Sequence, residues 1–153
     1  MNHLQETFAP EVEFVTFYVG SLLLGAEISQ VEEINRHLDI APVAHSPPWV
    51  QGVVNLRGEV VTVVDLRHVL GLGRIQIGPQ TRNVVINADG ERIGLLVDRV
   101  ADVVKAYKSE IKALPANLTS AQGRFFQGVL ELDHGLLAVL NIEEVLAATC
   151  ETA

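Results

Sequence analysis

The sequence predicts an all-β protein made of two small five-stranded β-barrels related by internal duplication. The strongest observation is a repeat, in which residues 51–70 match residues 127–146 without a gap. A second repeat places residues 14–34 on residues 83–103. Repetition at a fixed offset indicates one structural unit used twice. Five short twisted strands close most readily into a barrel, which removes exposed edges. A single large sandwich is the competing architecture.

The first half opens with short strands separated by turn signals. Residues 12–19 are predicted as a strand because aromatic and β-branched residues supply its apolar bulk. The chain turns at residues 20–21 and returns as a strand over residues 22–26. Residues 28–31 are predicted as a single helical turn, and residues 31–34 as a third short strand.

Prolines and glycines mark the segments around the central hairpin. Residues 37–48 contain three prolines and are predicted to be irregular. A short helix is expected over residues 48–51, since proline is accepted in a first turn. A second short helix is expected over residues 66–70 with Asp65 as its cap. Residues 71–80 contain glycine and proline and are predicted to link the two halves.

The central hairpin carries a polar tip on apolar strands. Residues 53–56 and 60–64 are rich in β-branched residues, and Gly58 tolerates the positive φ of a tight turn. The polar residues of the tip are Asn55, Arg57 and Glu59. The second copy of the hairpin keeps the apolar framework and changes all three. One scaffold with different tips indicates a recognition surface.

Composition and charge exclude several classes of partner. The net charge is −8, from 11 basic and 19 acidic residues, and the basic residues are scattered. Nucleic acid and anionic lipid are therefore poor partners. No apolar run approaches the ~20 residues of a membrane span, and the N-terminus has no secretory signal pattern. The lone cysteine, Cys150, fits a reducing compartment. The sequence therefore predicts a protein of a reducing compartment without a membrane-spanning segment.

The residue types used in catalysis do not form a catalytic pattern. No histidine is three to five residues from another histidine or a cysteine, so no metal site is predicted. Gly71-Leu72-Gly73 lacks the third glycine and the lysine of a phosphate loop. An enzymatic or ligand-binding barrel would require a polar cluster in an apolar pocket, whereas the strands are almost wholly apolar. Neither catalysis nor a cofactor is expected.

Partner binding is the remaining function, and Arg57 is its first candidate. In many proteins such an arginine is only a solvated charge. Here it emerges from apolar strands, where its stem can pack while its fork binds carboxylates or carbonyls. We therefore predict that Arg57→Glu keeps the fold and weakens partner binding by about 1–4 kcal/mol, the range of interface hot spots.

Four apolar residues form a second candidate surface, because they occupy equivalent positions in the two halves. They are Val31 with Val100 and Ile34 with Val103. Such residues either pack in a core or line a groove between the barrels that receives a partner helix. The sequence leaves both alternatives open. Glu33 and Asp102 would flank the groove.

Three motifs resemble those of the CheW-like chemotaxis adaptors. The first is N-x-R-G at residues 55–58, followed by an apolar strand and V-D-L at residues 64–66. The others are V-x-E-I at residues 31–34 and G-x-x-V-D-x-V at residues 94–100. The resemblance covers about residues 12–147. One departure is Thr62, where the family often has proline.

The resemblance implies two SH3-like five-stranded barrels and no catalysis. It implies a cytoplasmic adaptor at membrane-associated receptor arrays. Its expected partners are the cytoplasmic tip of methyl-accepting chemoreceptors, the regulatory domain of a CheA-like histidine kinase, and other CheW-like domains. A CheW-like scaffold in a non-chemotaxis pathway, such as twitching motility or second-messenger signalling, is the alternative.

The resemblance also implies a set of partner-binding residues and a domain division. The residues are Val31, Glu33, Asn55, Arg57, Gly58, Gly94, Val100 and Val103. Bracing of the local fold by Arg57 is a second role that the sequence leaves open. Residues 12–147 are expected to form the domain, with barrel halves at about 12–70 and 82–147 and with strand exchange between them left open. Tails are expected at residues 1–11 and 148–153.

Overall fold

Ten short strands carry the fold in the part of the chain that the structure describes. The structure is a computed structural model, and it describes residues 10–36, 39–115 and 123–150. The strands are β1 (Glu11–Val19), β2 (Leu22–Glu27), β3 (Val31–Arg36), β4 (Val50–Leu56), β5 (Glu59–Asp65), β6 (Arg82–Ala88), β7 (Glu91–Val97), β8 (Arg99–Tyr107), β9 (Phe126–Leu132) and β10 (Gly135–Leu140). The helices are α1 (Leu66–Val69) and α2 (Ile142–Cys150), with 3-10 turns at Ile28–Gln30 and Lys108–Glu110.

The short helical segments agree with the sequence at two places and differ at one. The helical turn after β2 and the cap of α1 are confirmed, since the Asp65 carboxylate accepts a hydrogen bond from the His68 N–H at 3.2 Å. The helix expected over residues 48–51 is wrong. Val50 pairs with Val64, so pairing with β5 draws this segment into an extended strand.

The strands form two five-stranded sheets that do not follow the two sequence halves. Sheet 1 has the order β8-β1-β2-β10-β9, and sheet 2 has the order β3-β6-β7-β5-β4. Sheet 1 takes β1 and β2 from the first half and its other three strands from the second, whereas sheet 2 takes β6 and β7 from the second half and its other three strands from the first. The two orders correspond strand by strand under the offsets of the sequence repeats. The structure is therefore a pseudo-two-fold pair with exchanged strands.

Each barrel is closed by an isolated bridge at an equivalent glycine. Ala41 bridges to Val53 in β4, and Lys112 bridges to Val129 in β9. Beside these bridges, a Cβ atom at Gly52 or at Gly128 would overlap the carbonyl oxygen of residue 41 or 112. Only glycine permits so close an approach of two backbones. The sequence repeat thus keeps its glycine where each barrel closes.

Three separate hydrophobic clusters show that the molecule is two barrels. One cluster lies in sheet 1 around Phe14 and Leu137, and another lies in sheet 2 around Val63 and Leu96. The third and largest draws buried residues from both sheets, including Phe17, and therefore lies between the barrels. A single sandwich would have one core between its sheets. The two-barrel prediction is confirmed.

The C-terminal helix continues beyond the domain boundary expected from the sequence. Residues 148–150, expected as tail, belong to α2, because no glycine or proline interrupts the segment. Thr149 donates its hydroxyl to the carbonyl oxygen of Val145 at 2.8 Å within the helix. The tail residues 1–9 and 151–153 lie outside the described residues. None of the described helices has the length and apolar character required to cross a membrane.

Candidate partner-binding site

Strands β3 and β8 border the junction between the barrels and carry the four apolar candidates. Val31 and Val100 are partly buried and pack against the central core. Ile34 and Val103 are exposed, at 39% and 52% of their surface. Core packing, the first of the two alternatives, therefore applies to the inner pair. The inner pair contributes to the core, whereas the outer pair presents apolar surface to solvent.

The polar tip of the central hairpin is a tight turn closed by Asn55. Arg57 and Gly58 both have positive φ, 54° and 86°, as the central residues of a type I′ turn do. The Asn55 Oδ1 atom accepts a hydrogen bond from the Gly58 N–H at 3.0 Å. Asn55 and Gly58 therefore shape the turn, and Arg57 projects from it.

An ion pair joins this hairpin tip to β3. The Arg57 Nη2 atom lies 3.2 Å from the Glu33 Oε2 atom. The Arg57 side chain is 80% exposed and the Glu33 side chain 22% exposed. The other oxygen of Glu33 accepts a hydrogen bond from Asn35 Nδ2 at 2.8 Å. Glu33 is thus held from two sides, while most of the Arg57 guanidinium remains accessible to a partner.

A second polar network beside the tip was not found from the sequence. Arg92 lies 2.5 Å from Glu32 and 2.8 Å from Glu59, and its side chain is only 16% exposed. Asn87 donates a hydrogen bond to Glu32 at 3.1 Å. The sequence did contain a signal for this network, because the repeat aligns the charged Arg92 with the apolar Leu23 of the first half. The network ties β3 to β6, β7 and the central hairpin.

The same network shifts the protonation equilibria of its two main groups. The hydrogen bond from Asn87, followed by the one from Arg92, lowers the pKa of the Glu32 carboxyl below its usual value of 4.5. The hydrogen bond to Glu32 raises the pKa of the Arg92 guanidinium. Both shifts favour the charged forms. The network therefore remains ionised at neutral pH.

Gly94 is the one candidate that the structure places in the interior. It is buried in β7, between β5 and β6. A Cβ atom there would overlap the Oδ1 atom of Asn83, which is itself 1% exposed. At the equivalent position in sheet 1, Gly25 leaves space for Phe14 and Leu137. Asn83 is one of the few polar residues among the almost wholly apolar buried strand positions, and Gly94 makes room for its side chain.

An open cavity of about 460 Å³ lies between β3 and the central hairpin, bordered by Glu33, Asn35 and Asn55. It places the ion-paired edge of sheet 2 at the rim of a concave surface. Among the described residues, no group of three or more His, Cys, Asp or Glu side chains is arranged to hold a metal ion.

A match to a known protein family covers nearly the whole chain. The sequence profile of the CheW-like domain matches residues 13–150. The chain belongs to the CheW-like domain family. Among curated relatives, the Chemotaxis protein CheW of Rhizobium meliloti is 31% identical over 135 residues, covering 87% of this chain and 86% of that protein. Protein FrzA of Myxococcus xanthus is 31% identical over 146 residues, covering 94% and 91%.

A solved structure supports the same family and the same fold. The scaffolding protein TtCheW from Thermoanaerobacter tengcongensis superposes with a TM-score of 0.78 at 25% identity. The match covers 87% of this chain and 86% of that chain. Within this CheW-like domain, Glu33, Asn55, Arg57 and Gly58 come together at one hairpin tip. Val31, Val100 and Val103 border the junction between the barrels.

Proposed function

We propose that this chain is a non-catalytic adaptor that couples transmembrane chemoreceptors to a CheA-type histidine autokinase in chemotaxis. The observation that carries the proposal is the surface beside the junction of the barrels. There, the exposed apolar residues Ile34 and Val103 accompany a hairpin tip whose arginine is ion-paired to β3 and still 80% exposed. Family membership and relatives named as chemotaxis proteins support this function.

The groove between the barrels would receive the helical hairpin at the cytoplasmic tip of a methyl-accepting receptor. An amphipathic helix binds by laying its apolar face in an apolar groove. Val31 and Val100 would form the floor of that groove, and Ile34 and Val103 its exposed walls. Arg57 and Glu33 would contact the polar side of the same helix. The protein would thus act at receptor arrays on the cytoplasmic side of the membrane.

The kinase regulatory domain would dock at a barrel end, and other CheW-like domains would extend the array. Charge is consistent with protein partners, because a net charge of −8 disfavours nucleic acid and anionic lipid. Signalling would follow from contact geometry, since a partner shifts an equilibrium only through its differential contacts with the two states.

Pull-down assays with two purified partners test this function. The partners are the regulatory domain of the CheA-like kinase and a receptor fragment carrying the cytoplasmic hairpin, both from the same genome. Wild type is compared with Arg57→Glu and with Asp89→Lys. Asp89 is a matched control, because it occupies the same turn position in the β6–β7 hairpin, with φ 54°. Circular dichroism verifies that each variant is folded.

Retention of wild type by both partners is the expected result, with loss of at least one interaction in Arg57→Glu and none in Asp89→Lys. Failure of a folded wild type to bind either partner at micromolar concentration would exclude the coupling function.

A second candidate function is a CheW-like scaffold in a non-chemotaxis pathway, such as twitching motility or second-messenger signalling. The 31% identity to Protein FrzA, over 94% of this chain, supports this second candidate. Both candidates predict binding to a kinase and a receptor. Deletion of the gene distinguishes the two candidates. The chemotaxis adaptor predicts that swimming cells lose chemotaxis, whereas the alternative scaffold predicts a change in twitching motility or second-messenger signalling.

A further inference from the structure

The strand registers define three rows of residue pairs on each side of the junction, and the buried members of the inner and middle rows belong to the central core. In sheet 2, β3 pairs with β6, and in sheet 1, β8 pairs with β1. The rows are listed from the inner to the outer. In sheet 2 they pair Val31 with Ile86, Ile34 with Val84, and Arg36 with Arg82. In sheet 1 they pair Val100 with Phe17, Val103 with Val15, and Lys105 with Glu13. The inner and middle rows are apolar on both sides. The outer rows differ in charge.

In sheet 1 the charges of the outer row neutralise each other in an ion pair, whereas in sheet 2 both charges are positive. Lys105 Nζ lies 4.0 Å from Glu13 Oε1. Arg36 and Arg82 are directly opposite each other, and neither forms an ion pair with any residue in the described parts of the chain. Arg82 instead donates from Nη1 to the carbonyl oxygens of Pro79 at 3.0 Å and Thr81 at 2.8 Å.

Two arginines opposite each other cost the fold stability, because like charges at directly opposed positions of a sheet repel. This protein has an excess of acids, with a net charge of −8. The equivalent position shows that an acid fits there, since Glu13 stands in the place of Arg82. Arg36 also lies two residues after the exposed Ile34, on the same face of β3.

We propose that Arg36 and Arg82 form a subsite that binds a carboxylate of an amphipathic partner helix lying in the groove. The inference rests on the proposed function, in which a receptor helix docks between the barrels. Guanidinium groups bind carboxylates through paired, charge-assisted hydrogen bonds. Two carbonyl contacts hold Arg82 in place, so part of its ordering is achieved before the partner arrives.

The position of the subsite gives the docked helix a direction. A bulge in β3 lies between Val31 and Glu33, so the distance from Val31 to Arg36 is counted on their partners in β6. Ile86 and Arg82 are four residues apart, which is about 13 Å at ~3.3 Å per residue. On a helix that distance is about two and a half turns of ~5.4 Å, so the acidic residue of the partner is about nine residues from the one that packs on Val31. The equivalent pair in sheet 1, Lys105 and Glu13, offers no net positive charge.

The test measures binding of the receptor hairpin fragment by fluorescence anisotropy. Arg36→Glu places opposite charges at this pair of positions, as in sheet 1 but with the acid on the edge strand. Its melting temperature is therefore expected to equal or exceed that of wild type, while its affinity for the hairpin falls about tenfold. Lys105→Glu is the control, because it changes the net charge by the same amount at the equivalent position. It is expected to change the affinity less than twofold.

A charge-swap experiment then identifies the partner group. Acidic residues of the hairpin are replaced one at a time by lysine, and one replacement is expected to restore binding to Arg36→Glu but not to Lys105→Glu. If Arg36→Glu is less stable than wild type, Arg36→Gln is measured in its place, with the same expected direction of effect.

Three outcomes would overturn the subsite. Equal affinities of Arg36→Glu and Lys105→Glu, with wild type binding normally, would remove the subsite and leave the adaptor function intact. Binding of wild type to a labelled single-stranded oligonucleotide at physiological ionic strength, abolished by Arg36→Glu, would make this a polyanion site. A wild type that does not bind the hairpin at all would end both the adaptor function and the subsite.

Discussion

Arg57 holds its hairpin turn in a backbone conformation that arginine disfavours, and replacing it by asparagine separates its two proposed roles. Its φ is 54°, in the left-handed region. For most residues that region costs roughly 1–2 kcal/mol, and asparagine is one of the few that visits it routinely. Arg57→Asn therefore relieves strain in the turn while removing the guanidinium that faces a partner.

The expected stability change follows from two opposing terms. Asparagine recovers about 1 kcal/mol of backbone strain. The lost ion pair with Glu33 involves an arginine side chain that is 80% exposed, and exposed pairs contribute about 0–1 kcal/mol. The free energy of unfolding of Arg57→Asn should therefore equal that of wild type or exceed it by up to about 1 kcal/mol, which is about 2–4 °C in melting temperature.

The assay combines urea unfolding with partner binding. Trp49 is the only tryptophan in the chain, so its fluorescence is a convenient probe of unfolding. Binding to the receptor hairpin and to the kinase regulatory domain is measured on the same preparations. Asp89→Asn is the control, because the β6–β7 turn has the same geometry, with Asn87 accepting from Gly90 N–H at 3.2 Å. It should change neither stability nor affinity.

Two results would refute the reasoning about Arg57. If Arg57→Asn lost more than about 2 kcal/mol of unfolding free energy, the loss would exceed what an exposed ion pair contributes and would show that Arg57 braces the fold. Unchanged affinity for both partners would remove Arg57 from the binding surface. The expected result is unchanged or higher stability with affinity reduced at least about tenfold for one partner.

Further predictions concern packing and pH. Gly94→Ala should lower the unfolding free energy by about 1–3 kcal/mol, because its Cβ overlaps Asn83; adding Asn83→Ala should recover part of the loss, and no recovery would contradict this contact. Since the pKa of Glu32 is lowered in the fold, its contribution is present above about pH 4.5 and is lost as the pH falls through the lowered value. Urea unfolding of wild type and Glu32→Gln should therefore differ at pH 6 and converge in acid, and a constant difference would contradict the assignment. Gly52→Ala should impair folding, as judged by circular dichroism, because its Cβ overlaps the Ala41 carbonyl.

The repeat in the sequence was sufficient to predict the strands and their duplication. Offsets of 69 and 76 place each strand of one half on its counterpart in the other, and the turn at Gly58 follows from the need for positive φ. These features depend on local composition and spacing. Strand partners do not, because the same repeat is compatible with barrels made within each half or exchanged between halves.

The sequence suggested which residues belong to the candidate site but not the contacts between them. The sequence grouped Asn55, Arg57 and Gly58 because they are neighbours along the chain. The ion pair of Arg57 with Glu33 needed the barrel to bring β3 to the hairpin tip. Gly94 was expected to be a partner-binding residue, but its burial against Asn83 depends on a neighbouring strand that spacing along the chain does not reveal.

The exchange of strands between the sheets has a consequence for synthesis on the ribosome. Sheet 1 begins with β1 and β2 but is completed only when β10 has emerged, and sheet 2 needs β6 and β7 from the second half. The first half of a nascent chain therefore presents unpaired apolar strands that cannot close a barrel alone. Contacts this distant in sequence also slow folding. Duplication has thus given a protein whose halves resemble each other in sequence but are expected to depend on one another to fold.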